Sequence, residues 1–394
     1  MTDALGYETN TSYTLIGQPE EVQLPATGQT GTGRGRNVNA YLYTGGPLVT
    51  TTVYDESNVQ AQQVSRGYGL EGELLSATGG TEPVTYTYDA LYRLKTLKDG
   101  NNNQTTYNYN NAGQVASVQM PGGETVQFPS YDFAGNLLQR IDGNNVTTNY
   151  LYNDAESLLT DIQYPATPAL NVHLGYDGYG RRTSMTDGTG SHSYVYGNAN
   201  ELQSATTTYN GLPAQTISYS YYPDASRQSM TTPVGGFAYY YDGAGRALSL
   251  TNPYSEVSSW TYFDNNWLRA QTLGNGTTTT YGYNAAGQLT GLLNEQGDLP
   301  LSDFGQIAYD GAGNRRSLLS GATNYLYDAK QQLTQAQTFT SGGVTTDTFA
   351  YDAAGNPTNF KGATQTYNAN NQPTGAGFTH DANGNPTTYK GTTL

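Results

Sequence analysis

The sequence predicts an all-β fold made by iterating one unit, an antiparallel β-hairpin, along a continuous strip. Three observations predict it. A short turn motif recurs with a spacing near 21 residues through most of the chain. The composition is that of turn-rich β-structure, with 48 Gly and 36 Tyr among 394 residues and abundant Thr and Asn. No segment has the apolar periodicity of an amphipathic helix of four turns.

The motif is plainest at 349–357, F-A-Y-D-A-A-G-N-P. Its relatives are Y-D-F-A-G-N-L at Tyr131, Y-D-G-A-G-R-A at Tyr241, Y-N-A-A-G-Q-L at Tyr283 and Y-D-G-A-G-N-R at Tyr309. Phe349 and Tyr351 have the period-2 spacing of a strand with one packed face. The following Asp or Asn accepts hydrogen bonds from its own backbone two residues on, which starts a turn. The Gly three places later supplies the positive φ that ends it. The aromatic that opens each turn falls at Tyr54, Tyr68, Tyr88, Tyr109, Tyr131, Tyr152, Tyr176, Tyr196, Tyr222, Tyr241, Tyr262, Tyr283, Tyr309, Tyr327, Tyr351, Tyr367 and His380, which is 17 units. From Tyr68 to Tyr351 the steps run from 18 to 26 residues, and the last two shorten to 16 and 13. Single hairpins bury too little to stand alone, so the regularity implies one stacked array.

In chain order, residues 1–50 are read as an irregular N-terminal segment and residues 51–394 as the array of about 17 repeats. Thr2–Gly6 resembles the tail of a repeat, and Thr27–Arg36 is a Gly-rich loop. Tyr41–Tyr43 and Val49–Tyr54 are the first strands. From Tyr68 onward a second turn alternates with the motif turn. Asp99-Gly100-Asn101, Asp142-Gly143-Asn144 and Asn275-Gly276 carry it, and such dipeptides signal two-residue hairpin turns. The odd spacing of Leu94 and Leu97 points to a twist or a bulge. Tyr164–Asn171 and Thr208–Ala214 carry prolines that suit loops. Leu292–Asp303 is the only stretch with room for a short helix, and its Gly and Pro argue against a long one. The turn Gly is missing at Tyr222 and Tyr262, so those units read as decayed. Both ends stop inside a unit, from which a segment of a longer protein is expected.

The formal net charge of −15 argues against a nucleic-acid partner, because the chain would repel phosphates. With 12% charged residues the chain is not a charge-rich disordered tail. Hydrophobic residues, Tyr included, make up 36%, so a thin sheet with both faces partly wet is expected rather than a thick aliphatic core. Cysteine is absent, which excludes disulfides, thiolate metal sites and a Cys nucleophile. No apolar run of membrane-spanning length and no signal-peptide pattern occurs.

These repeats resemble the YD-repeat, or Rhs repeat, of bacterial Rhs and wall-associated proteins, insecticidal toxin complex C components and animal teneurins. The likeness runs from about Tyr54 to Leu394. It implies a hairpin strip that spirals into a hollow shell and encloses a toxin or effector, or else serves as an extracellular scaffold. It also implies an exported chain, secreted or at the cell surface, whose partners are an enclosed polypeptide or neighbouring domains of the same chain. The family's shell-closing core carries an Asp-Pro region, and no Asp-Pro dipeptide occurs here, so self-cleavage is not assigned.

Candidate chemistry is sparse. The motif carboxylates Asp55, Asp89, Asp132, Asp177, Asp242, Asp310, Asp328, Asp352 and Asp381 could ligate a metal or pair for hydrolysis. Asn110, Asn284 and Asn368 at the same position favour turn formation instead, since Asn is neither acid nor base. His173, His192 and His380 stand in no catalytic or zinc motif. Gly31–Arg36, with two cations, could hold an anion but lacks a phosphate loop's setting. The Tyr run Tyr219, Tyr221, Tyr222 and Tyr239–Tyr241 could stack on a glycan. The expectation is therefore a shell or scaffold with no catalytic, cofactor or metal residues, and the alternative is a glycan-binding or adhesive module, which the open ends would allow to assemble end to end.

Overall fold

In the computed structural model, all residues are described except 28–32, 44, 80–82, 154, 376, 394 and the side chain of 320. The strands follow one another as an antiparallel meander. Each pairs with the next in sequence, from Asn10–Tyr13 through to Leu299–Asp303, giving a 27-stranded sheet. A 7-stranded sheet follows from Ala308–Tyr309 to Ala363–Thr364, then small sheets of two and three strands. The break at 304–307 is slight, because Phe304 and Ile307 still donate to Leu292 and Thr290 across it. Among the described residues, only two 3-10 turns, Pro168–Leu170 and Leu319–Gly321, interrupt the strands.

One turn geometry serves both edges of the strip. At Asp89 the backbone N–H donates to the Arg93 carbonyl, and Tyr92 N–H donates back to the Asp89 carbonyl. This is a three-residue loop whose last residue is left-handed. The ladder slips by one residue beside it, Thr87 facing Thr96 and Tyr88 facing Leu94, which is a bulge, one of the two readings the leucine spacing allowed. The second turns were expected to be of another type, and they are not. At Asp99-Gly100-Asn101-Asn102-Asn103 the same two bonds form, and Asn102 at φ +65°, not Gly100, takes the left-handed place. True two-residue turns with both residues at positive φ occur instead at Lys361-Gly362 and Lys390-Gly391.

Other expectations shift in register or kind. The units at Tyr222 and Tyr262 keep the turn without Gly, with Ala225 at φ +67° and Asn266 at φ +71°. In the former, Tyr221 ends the strand and Tyr222 takes the Asp place, one residue from the sequence reading. Leu292–Asp303 holds no helix and lies in the strands Leu289–Gln296 and Leu299–Asp303. The boundary at residue 50 has no counterpart in the hydrogen bonding, since Asn10–Tyr13, Pro19–Gln23 and Arg36–Tyr41 belong to the same long sheet. Thr14 stands where Asp usually stands, its hydroxyl accepting from Gln18 N–H at 3.1 Å, and this hid an early repeat.

The pleat sorts the side chains. One face carries half-buried pairs such as Tyr86 on Leu97, Tyr107 on Val118, Tyr150 on Ile162 and Tyr219 on Met230. The other carries hydroxyls and amides that bond across strands, as Thr87 with Thr96 at 2.6 Å and Ser220 with Ser229 at 2.7 Å. Among the described residues no large side chain is fully buried, as a second layer over either face would require. Among the described residues the only buried apolar side chains are Leu174 and Ile307, each 8% exposed.

Candidate functional site

The motif carboxylates do not converge on a site. The Oδ1 of Asp89 accepts from Leu91 and Arg93 N–H at 2.9 and 3.1 Å, and its Oδ2 accepts from Arg93 Nε at 2.8 Å. The same pattern holds at Asp132 with Asn136, Asp177 with Arg181, Asp242 with Arg246, Asp310 with Asn314 and Asp352 with Asn356. Asp55 and Asp328 accept from the corresponding backbone N–H groups. Where Asn110, Asn284 and Asn368 replace Asp, the polarity of the side-chain bond reverses and Gln accepts. The Arg93, Asn136 and Arg246 side chains hold the carboxyls of Asp89, Asp132 and Asp242 below the ordinary range. Among the described residues no group of three or more His, Cys, Asp or Glu could hold a metal ion.

The other candidates are likewise absorbed. His173 Nδ1 lies 2.9 Å from Asp161 on the exposed polar face. His192 meets the Thr207 hydroxyl at 3.0 Å, and His380 opens the last motif turn. Gly31 and Thr32 lie outside the described residues, and Arg34 and Arg36 pair with Glu8 and Glu21. In the Tyr run, the Arg227 guanidinium lies 5.1 Å from the Tyr219 ring and 5.6 Å from the Tyr239 ring, covering a face of each. Tyr240 is the half-exposed member.

What the repeats do build is a wall, through two sets of bonds that sequence reading missed. The first is a hydroxyl latch. The motif Tyr donates its O–H to the carbonyl of the residue just past the previous motif turn: Tyr88 to Leu74 at 2.9 Å, Tyr109 to Leu94 at 2.7 Å, Tyr131 to Val115 at 2.6 Å and Tyr309 to Leu289 at 2.7 Å. Each latch ties one hairpin to its predecessor. Desolvation pushes the phenols of Tyr88, Tyr109, Tyr131 and Tyr309 above their ordinary value.

The second set is a seam between residues 237 to 272 apart, where the strip has come round once and lies on itself. One edge of the later coil presents motif turns, and the opposite edge of the earlier coil receives them. Asn383 accepts from Gly143 N–H at 2.8 Å and donates to Asp142 at 2.7 Å. Asn144 accepts from Ala382 N–H and donates to Asp381, both at 2.9 Å. Asn370 spans Gly122 N–H and Glu124, Asn371 donates to Asp99, and near the N-terminus Asn265 donates to Asp3. The bonds from Asn144 and Asn385 lower the Asp381 carboxyl to about 2. The glycines of the Asp-Gly turns belong to this seam. A Cβ on Gly100 would collide with the Ala353 carbonyl oxygen, and one on Gly143 with that of Ala382.

Residues 41–142 match the family described as Teneurin YD-shell, and residues 262–299 match the RHS repeat. No curated protein matches the chain in sequence. Among solved structures, TcdB2-TccC3 without its hypervariable C-terminal region aligns with a TM-score of 0.69 at 16% identity, over 93% of this chain and 22% of that one. TcdB2-TccC3-Cdc42 aligns at 0.66 and 16% identity, over 90% and 21%. A Photorhabdus luminescens Tc holotoxin pore aligns at 0.63 and 16% identity, over 97% and 22%. The likeness is one of fold, and the chain spans about a fifth of each relative.

Proposed function

We propose, since the chain belongs to the YD/Rhs-repeat family, that this structural shell segment encloses a polypeptide, works outside the cell or at its surface, and performs no chemistry itself. The observation that carries the reading is the seam. A strip that docks on itself after about two dozen strands bounds a space. At about 4.8 Å per strand the coil is about 115 Å around and about 37 Å across, leaving roughly 25 Å of lumen between side chains. That width admits an unfolded chain or a small domain. The carboxylates support a passive role, because their oxygens are already engaged in holding turns. The wall would protect its contents from solvent-borne proteases.

Electron microscopy of the purified chain tests the shape. End-on rings with a stain-filled centre are expected, and flat ribbons would overturn the reading. Enclosure is tested by tethering an unstructured tail to the chain and adding protease. The tail should survive in the intact coil and be cut when Gly143→Leu opens the seam. Equal cleavage in both would refute enclosure.

A further inference from the structure

Among the described residues two side-chain polar atoms are buried without a hydrogen-bond partner, Arg66 Nη1 and Glu201 Oε2. Glu201 closes a motif turn of altered composition. Gly197 stands where Asp usually stands, and Glu201 stands where Arg93, Arg181 and Arg246 stand in their turns. The turn thus keeps an acid but has lost the cation that pairs with it. The carboxylate folds over Gly197, which has no Cβ to obstruct it. In the equivalent turn at Gly69, Glu73 Oε2 accepts from Glu71 N–H at 3.1 Å, so its carboxylate is satisfied. Arg181 reaches the Gly197 turn through the Gly197 carbonyl at 3.1 Å and Asn200 at 2.9 Å, and its charge is paired with Asp177.

A groove of about 610 Å³ opens beside Glu201, lined also by Gln203, Tyr219, Tyr221, Tyr222 and Pro223. Two of its rings are fixed, Tyr221 by its bond to the Leu202 carbonyl at 2.8 Å and Tyr222 by its bond to the Tyr239 carbonyl at 3.1 Å. A half-buried carboxylate with one oxygen unpartnered and no cation in its own turn, next to aromatic rings held by their hydroxyl bonds, has the chemistry of a cation receptor. The open groove suits a side chain on a longer backbone, and the acidic chain attracts basic partners.

We propose that this groove binds a lysine- or arginine-bearing segment of another polypeptide, with the cation on Glu201 and its aliphatic stem across Tyr221 and Tyr222. The site does not depend on the coil enclosing anything, so its failure and the failure of the shell reading are separate results.

The test is saturation-transfer NMR on the whole chain with the capped tripeptide acetyl-Gly-Lys-Gly-amide and its norleucine analogue. The lysine methylenes should take up saturation and the norleucine peptide should not. Glu201→Gln should weaken binding on the order of ten-fold, and so should Tyr222→Leu. Glu71→Gln, an exposed acid elsewhere, should leave it unchanged. Equal binding of the two peptides overturns the proposal. So does Glu201→Gln binding like the parent, or an equal loss in Glu71→Gln, which would mean attraction to net charge alone. If Glu201→Gln does not fold, Tyr222→Leu and the norleucine comparison decide.

Discussion

Substituting Gly143 by Ala separates the seam from the hairpin that carries it. Gly143 is not in the left-handed region, so Ala suits its backbone, and the turn Asp142–Val146 keeps its own bonds. What the methyl group meets is the neighbouring coil, within 2.8 Å of the Ala382 carbonyl carbon and 3.2 Å of Asn383 Oδ1. The later coil has to lift, and the bonds from Gly143 N–H to Asn383 and from Ala382 N–H to Asn144 are lost. At about 0.5–1.5 kcal/mol each, and toward the low end for exposed groups, their loss amounts to about 1–2 kcal/mol. That raises the open population of the terminal hairpin roughly tenfold. This hairpin, Thr379–His380 with Pro386–Tyr389, belongs to a separate three-stranded sheet completed by Thr392–Thr393, and the seam bonds tie it to the earlier coil. Hydrogen exchange read by mass spectrometry should show faster exchange across 379–389 with little change across 137–152. Unchanged exchange in the terminal hairpin, or loss of protection confined to 137–152, would refute the assignment of Gly143 to the seam.

Tyr131→Phe removes the donor to the Val115 carbonyl at 2.6 Å and should lower stability by about 1 kcal/mol in urea unfolding; an unchanged midpoint would mean the latch carries no stability. Gly355 sits at φ +86°, so Gly355→Val should cost about 1–2 kcal/mol, read as a lower Tm than an exposed strand substitution gives. On acidification, Asp381 titrates at about 2 when folded against 3.8 unfolded, and Asp3, Asp142 and Asp352 are also lowered. Groups lowered by folding stabilise above pH 3.8 and lose that contribution as pH falls toward 2. The coil should therefore loosen in that window, seen as a growing hydrodynamic radius while the β-sheet circular dichroism persists. A radius constant down to pH 2 would show that the carboxylates do not hold the seam. At the other extreme the latch phenols, raised by burial, stabilise below pH 10 and fail above it, so alkaline spectrophotometric titration should release tyrosinate together with unfolding.

The hairpins were legible because everything that makes them lies within a few residues. Asp352 bonds to the N–H groups of Ala354 and Asn356, and Gly355 turns the chain, all inside one motif. The misses came where another residue met the same local need. Thr14 replaces the carboxylate with a hydroxyl, and Ala225 and Asn266 take the left-handed place without glycine. Such positions cost about 1–2 kcal/mol for residues with a Cβ, which a long cooperative sheet can absorb. The slip from Tyr221 to Tyr222 has a similar origin, since two adjacent tyrosines offer the same local signal and only the hydroxyl on Leu202 decides between them.

The seam could not be read in this way, and Gly100 and Gly143 show why. In sequence each follows an Asp, and Asp-Gly in a β-rich chain signals a two-residue turn because glycine tolerates positive φ. The structure gives both glycines another reason, the close approach of a carbonyl from the later coil, that of Ala353 at Gly100 and that of Ala382 at Gly143. A glycine kept for its missing Cβ looks the same in sequence as one kept for its φ. The difference has consequences for the wall. Glycines under the first constraint fix how one coil registers on the next, whereas those under the second shape only their own hairpin. Exchanging Gly143 with an alanine-bearing turn therefore probes the shell, and exchanging Gly355 probes the repeat.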